Sequence, residues 1–215
     1  MNKRNIISIV SALLLTFAGG FTDAYTFIYR GGVFATMQTG NLIKFFISLT
    51  NGEFRLLFIL PILFFILGCV IAALLRKSKY QSHIVLISLI VTYVVAGLCP
   101  KNDMWDIVCV SLISIVGAMQ FEAFRVCLGH RYTSTMCTNN IRLFSVGIAE
   151  AKGKTILLYA SILTTFIVGI VIGTLVGRPM TTHSIISITG IYLAVLLMFI
   201  FSKEVPSNQD IKNAE

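Results

Sequence analysis

The stretch TMQTGN at residues 36–41 returns 99 residues later as TMCTNN at residues 135–140. The same shift, made without gaps, aligns Asp23 with Glu122, and each acid precedes its copy of the stretch by 13 residues. Internal similarity at a fixed offset is the usual sign of a fold built from structural repeats, and many transporters are built in this way. The sequence therefore predicts two copies of one unit of roughly a hundred residues.

The composition predicts an integral membrane protein. The chain has 215 residues, of which 56% are hydrophobic and 12% are charged, and its mean hydropathy is +0.88. Soluble domains are about a quarter charged, so this chain lacks the residues to cover a water-facing surface. A helix needs about 20 apolar residues to cross the hydrocarbon, and most of the uncharged stretches approach that length. These stretches are residues 6–22, 56–75, 107–121, 155–177 and 184–202.

We predict an all-α fold with a single membrane domain over residues 1–215 and a polar C-terminal tail at 203–215. The internal repeats cover about 6–99 and about 105–202. If the two motif segments do not cross the membrane, the chain has about six transmembrane helices plus two short polar re-entrant or half helices, and the two repeats are inverted. The alternative is eight helices in two parallel repeats.

Loops rich in Lys and Arg remain in the cytoplasm, and this rule favours six spans. Six spans with a cytoplasmic N-terminus place most of the basic residues inside. The C-terminus is then also cytoplasmic, and we expect a multi-pass protein of the inner or plasma membrane. The basic residues left outside are Arg30, Lys44, Arg55, Lys101 and Arg178.

Several classes of function are not supported by the sequence. The net charge of +8 is spread between apolar spans, so no nucleic-acid partner is expected. The five cysteines and three histidines have no metal-ligand spacing, and we expect neither a metal nor another cofactor. No nucleotide-binding or hydrolase motif occurs, so we expect no enzyme.

Asp23 and Glu122 are the first candidates for an ion pathway. A carboxylate within or at the end of an apolar span is costly to bury, and such groups usually pair or carry ions or protons. The alternative is that each acid sits at the membrane interface, or that Glu122 pairs with Arg125.

The motif segments supply the other candidates, because their hydroxyls and amides can donate and accept hydrogen bonds. Such groups suit a small polar ligand or a partly dehydrated ion, but they suit contacts between helices equally well. Gly31 and Gly32 precede the first segment, as a broken helix or tight re-entrant turn requires. The candidate residues are Gln38, Thr39, Gly40, Asn41, Thr138 and Asn140.

Gly169, Gly173 and Gly177 recur every fourth residue and form a helix face that another backbone can approach closely. We assign this face to helix packing or dimerisation. A chain of this size needs a second copy to enclose a pathway, so a homodimer in the lipid bilayer is an open alternative to a monomer.

The residues GGFTDAY at 19–25 and GGVFATMQTGN at 31–41 resemble the YoaK-type family of bacterial membrane proteins. In that family the first span reads like A-G-x-x-D-A-x-x-F and the next segment like G-G-x-F-x-x-x-x-T-G-N. The likeness covers nearly the whole chain and puts Asp23, Thr39, Gly40 and Asn41 on motif positions. It departs at Thr138 and Asn139, where relatives tend to have T-G. The resemblance implies an uncharacterised family and no activity.

Two functions are open at this point. The first is a small secondary transporter or channel-like permease for a small polar solute or ion, with Asp23 central and the two polar segments meeting near the midplane. The second is a non-transporting membrane scaffold or accessory subunit, whose polar residues only join helices.

Overall fold

The computed structural model describes residues 3–202, and the predicted tail at 203–215 lies outside them. The described chain is almost entirely helical, in agreement with the predicted all-α class. A 3-10 helix covers Thr181–Ile188, and two two-residue strands, β1 (Val126–Cys127) and β2 (His130–Arg131), pair antiparallel. The α-helices are α1 (Lys3–Tyr29), α2 (Gln38–Thr50), α3 (Leu56–Leu75), α4 (Gln81–Leu98), α5 (Asp103–Ala123), α6 (Thr138–Ala149), α7 (Gly153–Met180) and α8 (Thr189–Ser202).

Five helices within residues 3–202 are long and apolar enough to cross a membrane. They are α1, α3, α4, α5 and the continuous helical run Gly153–Ser202, which contains both of the last two uncharged stretches of the sequence. Large apolar side chains such as Leu67 on α3 and Val171 on α7 are exposed. Exposed apolar faces on long helices are typical of a protein surrounded by lipid.

The helical run Gly153–Ser202 reverses its direction in the middle. Its 50 residues would extend about 75 Å as a straight helix, more than twice the thickness of the hydrocarbon. Thr181 has a φ of +47°, which breaks the run at the end of α7. Gly177 lies against Tyr29 at the end of α1, whereas Phe199 packs on Phe124 at the end of α5. The run therefore turns at Thr181, and α8 returns toward the level at which α7 began.

α2 and α6 are shorter than the helices α1, α3, α4, α5 and α7. They have 13 and 12 residues, which correspond to lengths of about 20 Å and 18 Å. Both lengths fall well below the roughly 30 Å of the hydrocarbon core. The motif residues from Gln38 and from Thr138 onward form the first turns of these two helices.

α1 and α7 run in the same direction in close contact, and the glycine face of α7 lies against α1. A Cβ atom on Gly169 would stand 2.2 Å from the Phe17 carbonyl oxygen, one on Gly173 would meet Phe21, and one on Gly177 would meet Tyr29. The face is thus occupied within the chain, so a second copy would have to use another surface. On the matching helix α3, Gly68 approaches the carbonyl oxygen of Ile115 on α5 in the same way.

α1 and α5 run in opposite directions. Near the C-terminal end of α1, the Arg30 guanidinium contacts Asp106 in the first turn of α5 at 3.2 Å. Fifteen residues earlier, the Leu15 carbonyl accepts a hydrogen bond from Gln120 Nε2 at 3.0 Å near the end of α5. These two contacts, at opposite ends of the pair, show that α1 and α5 are antiparallel.

Replacing Gly20 by Ala should destabilise the fold by about 1–3 kcal/mol, because the new methyl group would stand 2.2 Å from the Phe166 backbone oxygen on α7. Gly190→Ala is the matched control, since a Cβ there has no neighbour within 4 Å. Thermal unfolding in detergent measures both. Equal melting temperatures for the two variants would contradict the close approach of α1 and α7.

Candidate functional site

The chain folds back along α1 directly after that helix ends. Gly31 and Gly32 have φ values of +85° and +74°, which side chains rarely tolerate, and they permit the reversal. The Ala35 amide then donates to Thr26 Oγ1 at 3.3 Å, and the next residue reaches Asp23. Asp23 lies seven positions before Arg30, which corresponds to a rise of about 10 Å along a helix, so the segment descends about that far along α1 before α2 begins.

Asp23 is buried inside α1 with a relative exposure of 2%. Its Oδ1 accepts the backbone N–H of Thr36 at 3.3 Å, and its Oδ2 lies 2.8 Å from Thr36 Oγ1. None of the ion pairs within residues 3–202 includes Asp23. A buried carboxylate without a counter-charge is costly, so this group needs a proton or a cation from elsewhere.

Thr36 also joins the two polar segments to each other. Its Oγ1 lies 3.1 Å from the backbone oxygen of Thr135, its counterpart in the second copy of the motif. A threonine hydroxyl has one proton and can donate to only one acceptor at a time. The two contacts can both be hydrogen bonds only when the Asp23 carboxyl is protonated. The carboxyl then donates its proton to Thr36 Oγ1, and the Thr36 hydroxyl donates to the Thr135 carbonyl.

The second copy lacks the acid contact that the first copy has. Glu122 pairs instead with Arg76, and with Arg125 at 3.4 Å, near the end of α5. The hydroxyl of Thr135 is buried and has no hydrogen-bond partner in the described part of the chain. The structure therefore does not bring Glu122 to the Asp23 cluster, and the two halves differ at this position.

The motif asparagines brace the two segments in the same way. Asn41 Oδ1 accepts from the Phe34 N–H at 3.0 Å, and its Nδ2 donates to the Phe34 carbonyl at 2.6 Å. Asn140 makes the same pair of bonds with Thr133, at 3.1 Å and 2.7 Å. Each buried amide thus satisfies backbone groups that a non-helical segment would leave unpaired in an apolar surrounding.

The remaining candidates lie at the edge of these braces or outside them. Gln38 donates to the Ala35 carbonyl at 2.7 Å and accepts from Asn41 at 2.9 Å, so its amide is used within the segment. Gly40 is partly buried beside the Phe34 ring. Thr39 and Thr138 are exposed and make no contact with Asp23.

A buried hydrogen-bond network beside Asp23 was not predicted from the sequence. Tyr93 and Thr22 are joined through their hydroxyls at 3.0 Å, and the Tyr192 hydroxyl donates to Gln120 Oε1 at 2.9 Å. Gln120 also donates to Ser134 Oγ at 3.1 Å in the second polar segment. The signal that could have found it is the spacing of Tyr93 and Tyr192, which are 99 residues apart and lie ring to ring at 5.4 Å.

Arg30 is the second feature that the sequence did not indicate, because the distribution of basic residues places it outside the membrane. Its guanidinium is completely buried and is enclosed by acceptors. Nε donates to the Tyr25 hydroxyl at 2.8 Å, Nη2 donates to the Ala96 carbonyl at 2.6 Å, and Nη1 reaches Asp106. Because all its donor nitrogens are engaged, Arg30 joins the ends of α1, α4 and α5 and is not available to a ligand.

The Asp23 cluster brings together oxygen atoms of the kind that can hold a proton or a small cation. Its groups are the Asp23 carboxyl, the Thr36 hydroxyl and the Thr135 backbone carbonyl. Within residues 3–202 no group of three or more His, Cys, Asp or Glu side chains is arranged to hold a metal ion.

Replacing Asn41 or Asn140 by Ala should each destabilise the protein by about 1–3 kcal/mol, because a buried backbone N–H and carbonyl lose their partner. Thr39→Ala is the control, since this motif residue is exposed. Thermal unfolding in detergent compares the three variants. A loss no larger than that of the control would contradict the bracing role.

Comparison with known proteins gives a family but no activity. A family model described as a protein of unknown function, DUF1275, matches residues 11–198. No curated protein and no solved structure matches the chain. The match confirms the assignment to an uncharacterised family that the motif residues predict.

Proposed function

The chain belongs to the DUF1275 family of proteins of unknown function, and we propose that it is a small secondary transporter or channel-like permease for a small polar solute or ion. One observation carries the proposal. Asp23 is buried without a counter-charge at the point where the two polar segments touch. Transporters commonly place their ion and substrate sites at the interface between repeats, on interrupted helices.

The proposed architecture has six spans, two re-entrant segments and inverted repeats. The antiparallel course of α1 and α5 supports it, because an odd number of crossings must separate two corresponding helices that run in opposite directions. The identical bracing by Asn41 and Asn140 supports two copies of one unit. Thr36 contacts Thr135, and Tyr93 contacts Tyr192. Contacts between residues 99 apart are what a pseudo-twofold axis between two inverted copies would produce.

We place the protein in the plasma or inner membrane with both termini cytoplasmic. The basic residues support this orientation, since cytoplasmic ends of spans are enriched in Lys and Arg. Arg76 and Arg125 share Glu122 at one end of the bundle. The N-terminal part of α1 lies at that same end, where Ser8 accepts from the Leu128 amide. Asp106, at the opposite end, is shared by the buried Arg30 and the exposed Lys101.

The mechanism follows from the single proton of the Thr36 hydroxyl. With Asp23 ionised, the hydroxyl donates to the carboxylate, and the Thr135 carbonyl loses its donor. With Asp23 neutral or neutralised by a cation, the hydroxyl is free to donate to Thr135. The charge state of Asp23 therefore changes the strength of the contact between the two segments, which is the coupling that alternating access needs.

Asp23→Asn should preserve the fold and abolish proton-coupled flux, because the amide still hydrogen-bonds Thr36 but cannot release a proton. The purified protein is reconstituted into liposomes that contain a pH-sensitive dye, and valinomycin sets a potassium diffusion potential. The dye then reports the proton flux after an acid pulse. Glu53→Gln is the control, an exposed acid that pairs only with Arg55.

Two outcomes would contradict the proposal in different ways. Equal flux in wild type and Asp23→Asn would remove Asp23 from the pathway. If liposomes with the wild-type protein were no more permeable than protein-free liposomes to protons, sodium, potassium and small neutral solutes, the transport proposal itself would be contradicted.

Single cysteines at positions 51 and 151, on a cysteine-free background, should be labelled from opposite sides of the membrane. Asn51 follows α2 and Ala151 follows α6, so inverted repeats put these two turns on different faces. An impermeant maleimide applied to intact cells and to inverted vesicles makes the measurement. Labelling of both positions from one side would instead support eight spans in parallel repeats.

A non-transporting scaffold or accessory subunit is the second candidate, and one observation favours it. The amides of Gln38, Asn41 and Asn140 are consumed by hydrogen bonds within their own segments. Under this alternative the polar residues only hold the fold together. Asp23→Asn would then lower the melting temperature, and neither the wild type nor the variant would show flux. No catalytic role is proposed for either candidate.

A further inference from the structure

Two of the five cysteines meet at the end of the bundle that holds Arg30. Cys99 directly follows the last residue of α4, and Cys109 lies in the second turn of α5. The Cys109 sulfur is 3.8 Å from the carbonyl oxygen of Ala96, three residues before Cys99. The structure holds both cysteines as free thiols, and the proposed ion pathway uses neither.

The side chains of Cys99 and Cys109 contact each other. The two thiols lie within hydrogen-bonding reach of one another, and both belong to one apolar cluster. Residues three apart on a helix have Cβ atoms about 5–6 Å apart, so the position of Cys109 beside Ala96 also places its sulfur near Cys99. Such contact is the first condition for a disulfide, which cannot join cysteines whose side chains point apart.

Arg30 holds the two helix ends in this arrangement. Its Nη2 donates to the Ala96 carbonyl at 2.6 Å and to the Cys99 carbonyl at 3.1 Å. Its Nη1 reaches Asp106, which lies three residues before Cys109 on α5. One buried guanidinium therefore fixes the backbone on both sides of the pair, and the two thiols are brought together by the fold itself.

The two thiols differ in their access to solvent. Cys99 is partly exposed, and residues 100–102 beside it are exposed. Cys109 has a relative exposure of 0%. An external reagent can therefore reach Cys99 first, whereas Cys109 can react only with a group already attached to Cys99. An accessible attacking thiol beside a resolving thiol is the arrangement found in redox-active cysteine pairs.

We propose that Cys99 and Cys109 are a redox-active pair that forms a disulfide between the end of α4 and α5. The oxidant is an external disulfide, carried by a thiol oxidoreductase or by a small molecule. Cys99 loses its thiol proton, and its sulfur attacks the external disulfide, forming a mixed disulfide and releasing one external thiolate. Cys109 then loses its proton and attacks the Cys99 sulfur, and the second external thiolate leaves. The pair gives up two electrons and two protons, and the external disulfide is reduced to two thiols.

The bridge would tie α4 to α5 around the Arg30 guanidinium. It would close a short loop at residues 99–109, and such a cross-link stabilises a protein by restricting its unfolded chain. In the orientation proposed above, this end of the bundle faces away from the cytoplasm, on the side where disulfides persist. That location rests on the proposed orientation, whereas the pairing of the two thiols does not.

The experiment counts free thiols in the purified full-length protein in detergent. Reduced protein is incubated with oxidised glutathione, denatured, and labelled with a polyethylene-glycol maleimide that retards the gel band once for each free thiol. The count should fall from five to three, and mass spectrometry of a digest should find Cys99 and Cys109 in linked peptides. The oxidised protein should melt roughly 5 °C or more above the reduced protein.

Three variants separate the roles of the two thiols. Cys109→Ala should stop at the mixed disulfide and retain one glutathione on Cys99. Cys99→Ala should keep its remaining thiols, because the buried Cys109 is out of reach of the external disulfide. Cys69→Ala is the matched control, a partly exposed cysteine on α3 whose replacement should leave the loss of two thiols unchanged.

A count that stays at five in the wild type would overturn the proposal, and so would the loss of two thiols in Cys99→Ala. If Cys109→Ala does not fold, the linked peptides of the wild type decide. In intact cells, acid quenching followed by alkylation should find the pair oxidised. A reduced pair in cells whose labelling at positions 51 and 151 confirms the proposed orientation would overturn its use as a disulfide there. None of these results depends on transport, so failure here and failure of the proposed function are distinguishable.

Discussion

The contact between Asp23 and Thr36 is the interaction on which the rest of the structure depends. It holds a non-helical segment against the last two turns of a long apolar helix, where both side chains are buried. The segment is then close enough to the other half for Thr36 to reach the Thr135 carbonyl. Helix α2 starts directly after this contact and has 13 residues, a length of about 20 Å that is less than the roughly 30 Å of the hydrocarbon core.

The cost of that arrangement is offset by internal hydrogen bonds, with the same solution used in both halves. Asn41 and Asn140 are fully buried, and the side-chain amide of each forms hydrogen bonds with both the backbone N–H and the carbonyl of one residue. In the first half the acid completes the arrangement. In the second half the acid turns to Arg76 and Arg125, and the Thr135 hydroxyl is left without a partner in the described residues. The bracing is thus common to both halves, whereas the acid contact belongs to the first.

Close contact between backbones accounts for the compactness of the bundle. Gly20 and Gly169 allow α1 and α7 to approach until a single methyl group would overlap a carbonyl oxygen, and Gly68 allows the same for α3 and α5. In lipid no hydrophobic force drives helices together, so close packing and buried polar contacts must do so. The Tyr93 and Tyr192 network and the Arg30 cluster supply such polar contacts at two different depths.

The sequence by itself determined the helical membrane-type composition, the family and the residues of the repeated motif, because composition and spacing are properties of the linear chain. It also singled out Asp23 as a candidate, since a carboxylate within or at the end of an apolar span is costly to bury, but it left open whether this acid is buried or lies at the membrane interface. Only the tertiary structure decided that Asp23 meets Thr36, that Glu122 turns to two arginines, and that the glycine face of α7 is filled by α1. These outcomes depend on side-chain direction and on partners up to about a hundred residues away, and no local pattern in the chain encodes either.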